Sequence, residues 1–406
     1  MANKFNIFKV LGPGLLVTVG FIDPGNWATN LTAGASFYHS LIWVVSLSTI
    51  MLILLQHNVA HLGIITGYCL SENSSIYLSK NLNRIILTSA FFASISTALA
   101  EILGASIALN LLFKIPLKFA TFIILITSSI LIFFNSYKKI EKIIIGFVVC
   151  ISLCFIYQLS HFSLDFSSIL KHAIIPEIKT ENLPIIVAIL GAVVMPHNLF
   201  LHSEIIQSRN LNTLTAKEKE KLLKYEFLDT IFSMLIGWAI NVTIIVLAAE
   251  VFYKNNIKIT DISQAGELLE PALGSYSKIA FGIALLFAGL SSSITAGMSG
   301  GSIFSGIFKQ HYNIKNITTK LGIIITLIVS SIIILFISDP FQGLILSQII
   351  LSMQLPITIF LQIYLTSSKK VMGKYKNTIW NNIALVCCGL IVSILNLYLL
   401  YDIFFN

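Results

Sequence analysis

The stretch Asp23-Pro24-Gly25-Asn26 and a second one, Met195-Pro196-His197-Asn198, decide how this chain is read. Each has the form x-Pro-x-Asn, and each interrupts an apolar segment. Proline removes a backbone donor and clashes with the preceding turn, so a helix is expected to break at either place. Gly25 loosens the first break further. At membrane depth, broken backbone is tolerated only where protein surrounds it or where it lines a cavity. One break early in the chain and one near its middle are the expected signs of a binding site in a transporter-type membrane protein.

The rest of the sequence supports a membrane setting. Of its 406 residues, 56% are hydrophobic and 11% charged, and the mean hydropathy is +0.87. A soluble domain does not need that much apolar sequence for its core. The net charge of +8 does not point to nucleic acid, because the lysines fall in short connections between apolar runs. Cys69, Cys150, Cys154, Cys387 and Cys388 lie mostly in apolar stretches, without the spacing of a disulfide framework or a zinc site. Lys4 and Lys9 precede an apolar run, but no small-residue cleavage site follows, so the run is read as a membrane segment.

About 20 apolar residues cross a bilayer as a helix. On that basis eleven spans are expected, at 10–38 (broken at Pro24), 41–66, 85–113, 119–136, 143–161, 184–208 (broken at Pro196), 226–252, 276–308, 319–338, 341–366 and 379–402. Only helices fit spans of this length, so the fold class is an all-α membrane protein in a single domain, residues 1–406. With the N-terminus inside, 19 of the 26 Lys and Arg fall on the inner side. That asymmetry predicts a cytoplasmic N-terminus and, after eleven spans, an external C-terminus. Five spans start from each break, giving a 5+5 inverted repeat over roughly 10–161 and 184–366, with 379–402 as an added helix.

An intramembrane carboxylate is costly and is read first as functional. Asp23 supplies one. Asn26 adds an amide oxygen and Met195 a thioether. Unwinding frees carbonyls one turn before a proline, and Ala192 lies four residues before Pro196. Hard cations gain little from a thioether, so this mixed set points to a divalent transition ion such as Mn²⁺ or Fe²⁺.

These two motifs, with Ala192-Val193-Val194 before the second, resemble the paired signatures of the Nramp family of divalent metal transporters. Gly25-Asn26-Trp27-Ala28-Thr29 is most similar to bacterial manganese-transport members. The resemblance covers nearly the whole chain, including Gly289 to Gly297 and Gln348-Ile349-Ile350-Leu351-Ser352. It implies a leucine-transporter-type fold with helices 1 and 6 broken, and proton-linked import of Mn²⁺ or Fe²⁺ by alternating access at a bacterial plasma membrane. It assigns the metal to Asp23, Asn26, the Ala192 carbonyl and Met195, with Gln348 joining as the site closes. Proton movement falls to His197, Glu101 and Asp23. Metal and protons are cargo, so no cofactor is implied; the other partner is the lipid bilayer, and nothing requires more than a monomer.

The chain departs from the family pattern in three places. Ala98 stands where the family has an acid one turn before Glu101, Thr319 and Lys320 where it has arginines, and His61 where it often has an arginine. A lysine can lose its proton when buried, whereas an arginine in practice does not. Metal binding is therefore expected to persist with altered or looser proton coupling.

Other features have plainer readings. His57 and His61 have zinc-protease spacing, but Asn58 replaces the glutamate a protease needs, leaving two helix-end histidines near the cytoplasmic face. His202 and Glu204 fit either a metal exit path or a solvated helix end. Glu250 and Asp229 are expected at the interface, and Arg209 as a gate pairing with Glu72, Asp229 or another cytoplasmic acid. The small residues from Ser291 to Gly306 are expected to serve close helix packing, and Ala216 to Lys224 a solvated loop helix. The rival functions are an organic-solute carrier on the same fold, a Mg²⁺-preferring member, and a receptor or enzyme. Asp23 would repel a substrate carboxylate and Met195 disfavours Mg²⁺. Neither a signalling domain nor an activated nucleophile is evident, so no enzyme is expected.

Overall fold

A computed structural model describes residues 13–135, 137–161, 165–207, 215–259, 261–274 and 276–405. Arg209 lies outside these residues, as do the outermost parts of three expected spans (10–12, 136 and 208). The first span is divided into α1 (Pro13–Thr18), a 3₁₀ turn over Val19–Phe21, and α2 (Pro24–Phe37). Then come α3 (Ile42–Thr66), α4 (Lys80–Phe113), α5 (Leu117–Phe134) and α6 (Tyr137–Leu159). The sixth span is divided into α7 (Leu183–Val193) and α8 (Pro196–Gln207). After it follow α9 (Ala216–Ala248), α10 (Tyr276–Ile307), α11 (Ile317–Ile334), α12 (Pro340–Ser367) and α13 (Ile379–Phe405).

Among the described residues, ten segments are long and apolar enough to cross a membrane, with α7 and α8 taken together. The divided α1–α2 segment is the eleventh span. Both breaks fall at the prolines expected to cause them. Two expectations need correction. Ala216 to Lys224 is not a separate loop helix, because α9 runs through it without interruption. A Thr215–Glu218 capping box starts the helix there, satisfying the first backbone donors. Asp229 is not interfacial: it is buried on α9 and accepts from Gly14 N at 2.8 Å, anchoring the start of α1. The connections also hold short helices at Leu70–Tyr77, Phe166–Ile174 and Ile262–Leu273, too short to register as spans.

The broken segments sit in the centre. In the most apolar window of α7–α8, 89% of residues are buried, against 28% in α5 and in α6, which turn their apolar side chains outward. α2 touches α7, and α12 packs against α2, α4 and α7. α10 packs along α4 and α11. The small residues of α10 make this possible, as expected: a Cβ on Gly289 would stand 2.7 Å from Glu101 O, and one on Gly300 2.2 Å from Thr326 Oγ1.

Candidate metal site

At the first break Asp23 is the N-cap of α2. Its carboxylate accepts from Gly25 N at 3.0 Å and Asn26 N at 3.1 Å, satisfying donors that a helix start leaves free. The carbonyls on the other side of this break are also held. Val17 O accepts from Asn198 Nδ2 at 3.4 Å, Val19 O from Ser292 Oγ at 2.9 Å, Phe21 O from Asn241 Nδ2 at 2.8 Å and Ile22 O from Trp27 Nε1 at 2.9 Å. In lipid each of these oxygens would otherwise cost several kcal/mol, of the order of a lost hydrogen bond in an apolar medium.

The second break comes up against the first. The Asn26 amide nitrogen donates to Ala192 O at 2.8 Å and also to the Asp23 carboxylate, so Asp23, Asn26 and Ala192 form one contact set. Gln348 of α12 joins it: a Cβ on Gly25 would lie 1.8 Å from Gln348 Nε2 and 2.8 Å from Asp23 Oδ2. Gly25 thus has a second use besides loosening the chain, since only a residue without a side chain admits Gln348 here. Asn26 Oδ1 and Gln348 Oε1 are buried and have no hydrogen-bond partner among the described residues.

Met195 is fully buried and packs on Ala93 and Leu351. Leu351 is one helical turn from Gln348. Ala93 begins a stripe on α4, with Thr97 and Glu101 following at four-residue intervals on the same face. Thr97 Oγ1 donates to Ala93 O at 3.1 Å and lies 3.0 Å from His197 Nδ1. With the hydroxyl proton on Ala93 O, Thr97 would accept from Nδ1–H, the tautomer that leaves His197 Nε2 as a lone-pair nitrogen. That nitrogen has no partner among the described residues. Glu101 is fully buried beside Asp23 and Ser292, yet neither of its oxygens makes a well-formed hydrogen bond among those residues. One face of α4 therefore meets Met195, His197 and Asp23 in turn, and Gly104 on the next turn admits Pro24, whose Cβ would lie 2.0 Å from an added Cβ.

Among the described residues no group of three His, Cys, Asp or Glu could hold a metal. A cation here would rest on one carboxylate, neutral oxygens and a thioether. The Asn26 NH₂ now bridges Asp23 and Ala192 O, the place such an ion would take; accepting it requires the amide to turn its oxygen inward.

Several supporting residues carry no motif. Ser292 and Ser299 lie on one face of α10, and Ser299 Oγ donates to His197 O at 2.8 Å, so the pair braces both breaks. Asn241 accepts from Asn30 Nδ2 at 2.5 Å besides holding Phe21 O. The histidines separate. His202 is fully buried, with Nδ1 2.8 Å from Gln56 Oε1, so it is not a solvated end. His57 is held by Glu226 at 2.5 Å and is not a free helix-end group. Glu72 is committed to Cys69 N, Tyr312 N, Gln207 and His311. Glu250 binds Lys254 at 2.6 Å at the margin of the fold, as expected.

The chain can now be set beside known proteins. A divalent metal cation transporter MntH from Caldanaerobacter subterraneus is 39% identical over 396 residues, covering 97% of this chain and 93% of the relative. The crystal structure of a manganese transporter from Eremococcus coleocola superposes with a TM-score of 0.87 at 27% identity, covering 98% of this chain and 87% of that one. MhsT in complex with L-phenylalanine matches at 14% identity and a TM-score of 0.63, covering 97% and 98%; this likeness concerns the fold alone and agrees with the leucine-transporter type. The profile of the family described as natural resistance-associated macrophage protein-like matches residues 14–402, and this chain belongs to that family, Nramp.

Proposed function

We propose that this protein imports divalent transition-metal ions, Mn²⁺ first and Fe²⁺ second, across a bacterial plasma membrane by alternating access, drawing on a proton gradient. The observation that carries this reading is the contact set of Asp23, Asn26 and the Ala192 carbonyl between two facing helix breaks, with Gln348 pressed on Gly25. The relatives' names agree, being those of metal transporters and not of enzymes. Asp23 supplies the charge, Asn26, Ala192 and Gln348 the oxygens, and Met195 a thioether that favours softer ions. All five positions are buried, an arrangement closed to both sides. Pro24 and Pro196 free the backbone at which each half bends. Two five-span repeats, over roughly 10–161 and 184–366 of one domain, would rock about this site with the N-terminus and the lysine-rich end in the cytoplasm and the C-terminus outside.

The site fits an organic acid poorly. In such a carrier the helix start would hold the substrate's carboxylate. Here Asp23 already takes the Gly25 and Asn26 donors.

Protons enter through the neighbouring carboxyls. Asp23 and Glu101 cannot both stay charged in a solvent-free interior without a counter-charge, so a proton or a dication must be present. His197, with a bare Nε2, is the third member. The family's further groups are missing: Ala98 is apolar and buried, Lys320 is exposed, and Thr319 is bonded to Ser305 Oγ at 2.8 Å. The short set favours coupling looser than in a member with the full set.

The test is uptake into liposomes with a panel of divalent ions while internal pH is followed. Wild type should accumulate Mn²⁺ and acidify the lumen, and Asp23→Ala should do neither. Mn²⁺ uptake by Asp23→Ala at the wild-type rate would sink the metal reading. Glu101→Gln should keep part of the Mn²⁺ flux with fewer protons per ion; an unchanged ratio would remove Glu101 from the route.

A further inference from the structure

Helix α8 carries the second break at one end and Glu204 near the other. Glu204 lies on the wall of a cavity of about 330 Å³, shared with Asn135 after α5, Gln207 at the end of α8, Met298 on α10 and Tyr312 before α11. Glu204 is only 5% exposed, and its Oε2 has no hydrogen-bond partner among the described residues. The contrast with its neighbour Glu72 is direct, since that carboxylate has two backbone donors, an amide and an imidazole. A buried carboxylate oxygen without a partner is expensive, and a visiting cation relieves the cost.

The rest of the wall has the chemistry of a metal shell. The amide nitrogens of Gln207 and Asn135 are engaged, the first with Gly67 O and Glu72, the second with Leu131 O, so their oxygens remain. Met298 brings a thioether and adjoins Ser299, whose hydroxyl holds His197 O. Carboxylate, thioether and amide oxygens repeat the donor types of the central site. From Met195 to Glu204 is about 14 Å along α8 at 1.5 Å per residue, far enough to be a separate position. The connection from α10 to α11, which brings Tyr312 to the cavity, also carries Lys309 and Lys315. An ion leaving there meets a positive field, which a carboxylate at the mouth offsets.

We propose that Glu204 and Met298, with the amide oxygens of Gln207 and Asn135, form a second and weaker site for a soft-leaning dication, where an ion released from Asp23 pauses before reaching solvent. This rests on Asp23 as the central metal ligand. The test is equilibrium binding of Mn²⁺ to the purified full-length protein, with free Mn²⁺ read by electron paramagnetic resonance. Wild type should bind two ions and Asp23→Asn one weak ion. Adding Glu204→Gln to Asp23→Asn should weaken that ion at least about tenfold, the low end of what disturbing a metal's surroundings costs. Asp23→Asn binding no Mn²⁺, or binding one that Glu204→Gln leaves unchanged, would overturn the second site and leave the central one standing. A wild-type tight site that survives Asp23→Asn would instead overturn the central reading. Met298→Leu, which keeps the side-chain volume, should lower the preference for Cd²⁺ over Mn²⁺ at the weak site several-fold. An unchanged preference would exclude the thioether and with it the proposed shell.

Discussion

The two helix breaks share a sequence pattern but not a physical role. At the first, four side chains from three other places in the fold and from α2 itself hold the carbonyls of Val17, Val19, Phe21 and Ile22, and Asp23 caps the helix that follows. It is a rigid mount for one carboxylate. At the second, the contact given to Ala192 O is the amide of Asn26, itself a candidate ligand, and Met195 rests on Ala93 and Leu351. It offers neutral donors that can change partners. On the proposed function, this difference would let one site attract a dication and still release it, the charge staying fixed while the neutral shell rearranges.

The largest effect should follow from removing the fixed charge. Asp23→Asn keeps the size but removes the charge and one of the two accepting oxygens, and Mn²⁺ uptake into liposomes should fall about 100-fold or more, beyond the roughly 10–100-fold that loss of a metal's outer-shell partner costs. Met195→Ala should retain Mn²⁺ transport and weaken discrimination against Ca²⁺ and Mg²⁺ about tenfold, measured by competition in the same assay. Were the two substitutions equally damaging to uptake, the division of labour between the breaks would be wrong.

Next is the contact that joins them. Gly25→Ala places a methyl group 1.8 Å from Gln348 Nε2, which must swing away. Uptake should drop about tenfold while the protein still folds, because the cost lies in misplacing one ligand. Adding Gln348→Ala to Gly25→Ala should then cause little further loss. Additive losses in the double variant would mean that Gln348 acts elsewhere.

A smaller effect separates the mounts themselves. Asn241→Ala strips Phe21 O and Asn30 of a buried partner, and thermal unfolding in detergent should show a loss of about 2–3 kcal/mol. Ser299→Ala uncovers only His197 O and should cost about 1 kcal/mol. The reverse order would make the second break the rigid one.

Why some of this was readable and some was not follows from the same contrast. Lipid forces long apolar runs and punishes a mid-span proline, so the eleven spans, both breaks and the Asp23–Asn26–Ala192 set could be read from local sequence. The mount could not. Ser292, Ser299 and Asn241 are small polar residues in helices, equally at home in close packing, and only the tertiary arrangement shows which carbonyl each one meets. Asp229 misled for the same reason: a carboxylate in the first half of a helix reads as an interfacial group until Gly14 N is found against it. His202 and Glu204, alike in sequence, part because one meets Gln56 and the other a cavity.

The smallest expected effect concerns Lys320, and it bears on where the proton route ends. If the route leaves through a lysine on α11, the first break must be coupled across α4 to the far side of the bundle. Lys320 is exposed, and Ala98, one turn before Glu101 on α4, is an apolar buried residue. A screened surface charge exerts little force on a buried pair more than a Debye length away. Lys320→Ala should therefore leave the ratio of protons to Mn²⁺ within about twofold of wild type, as expected for a solvent-screened charge. A collapse of that ratio with Mn²⁺ uptake intact would show that protons cross from Glu101 toward α11 despite Ala98, and the short set of Asp23, Glu101 and His197 would then have to be extended along that helix.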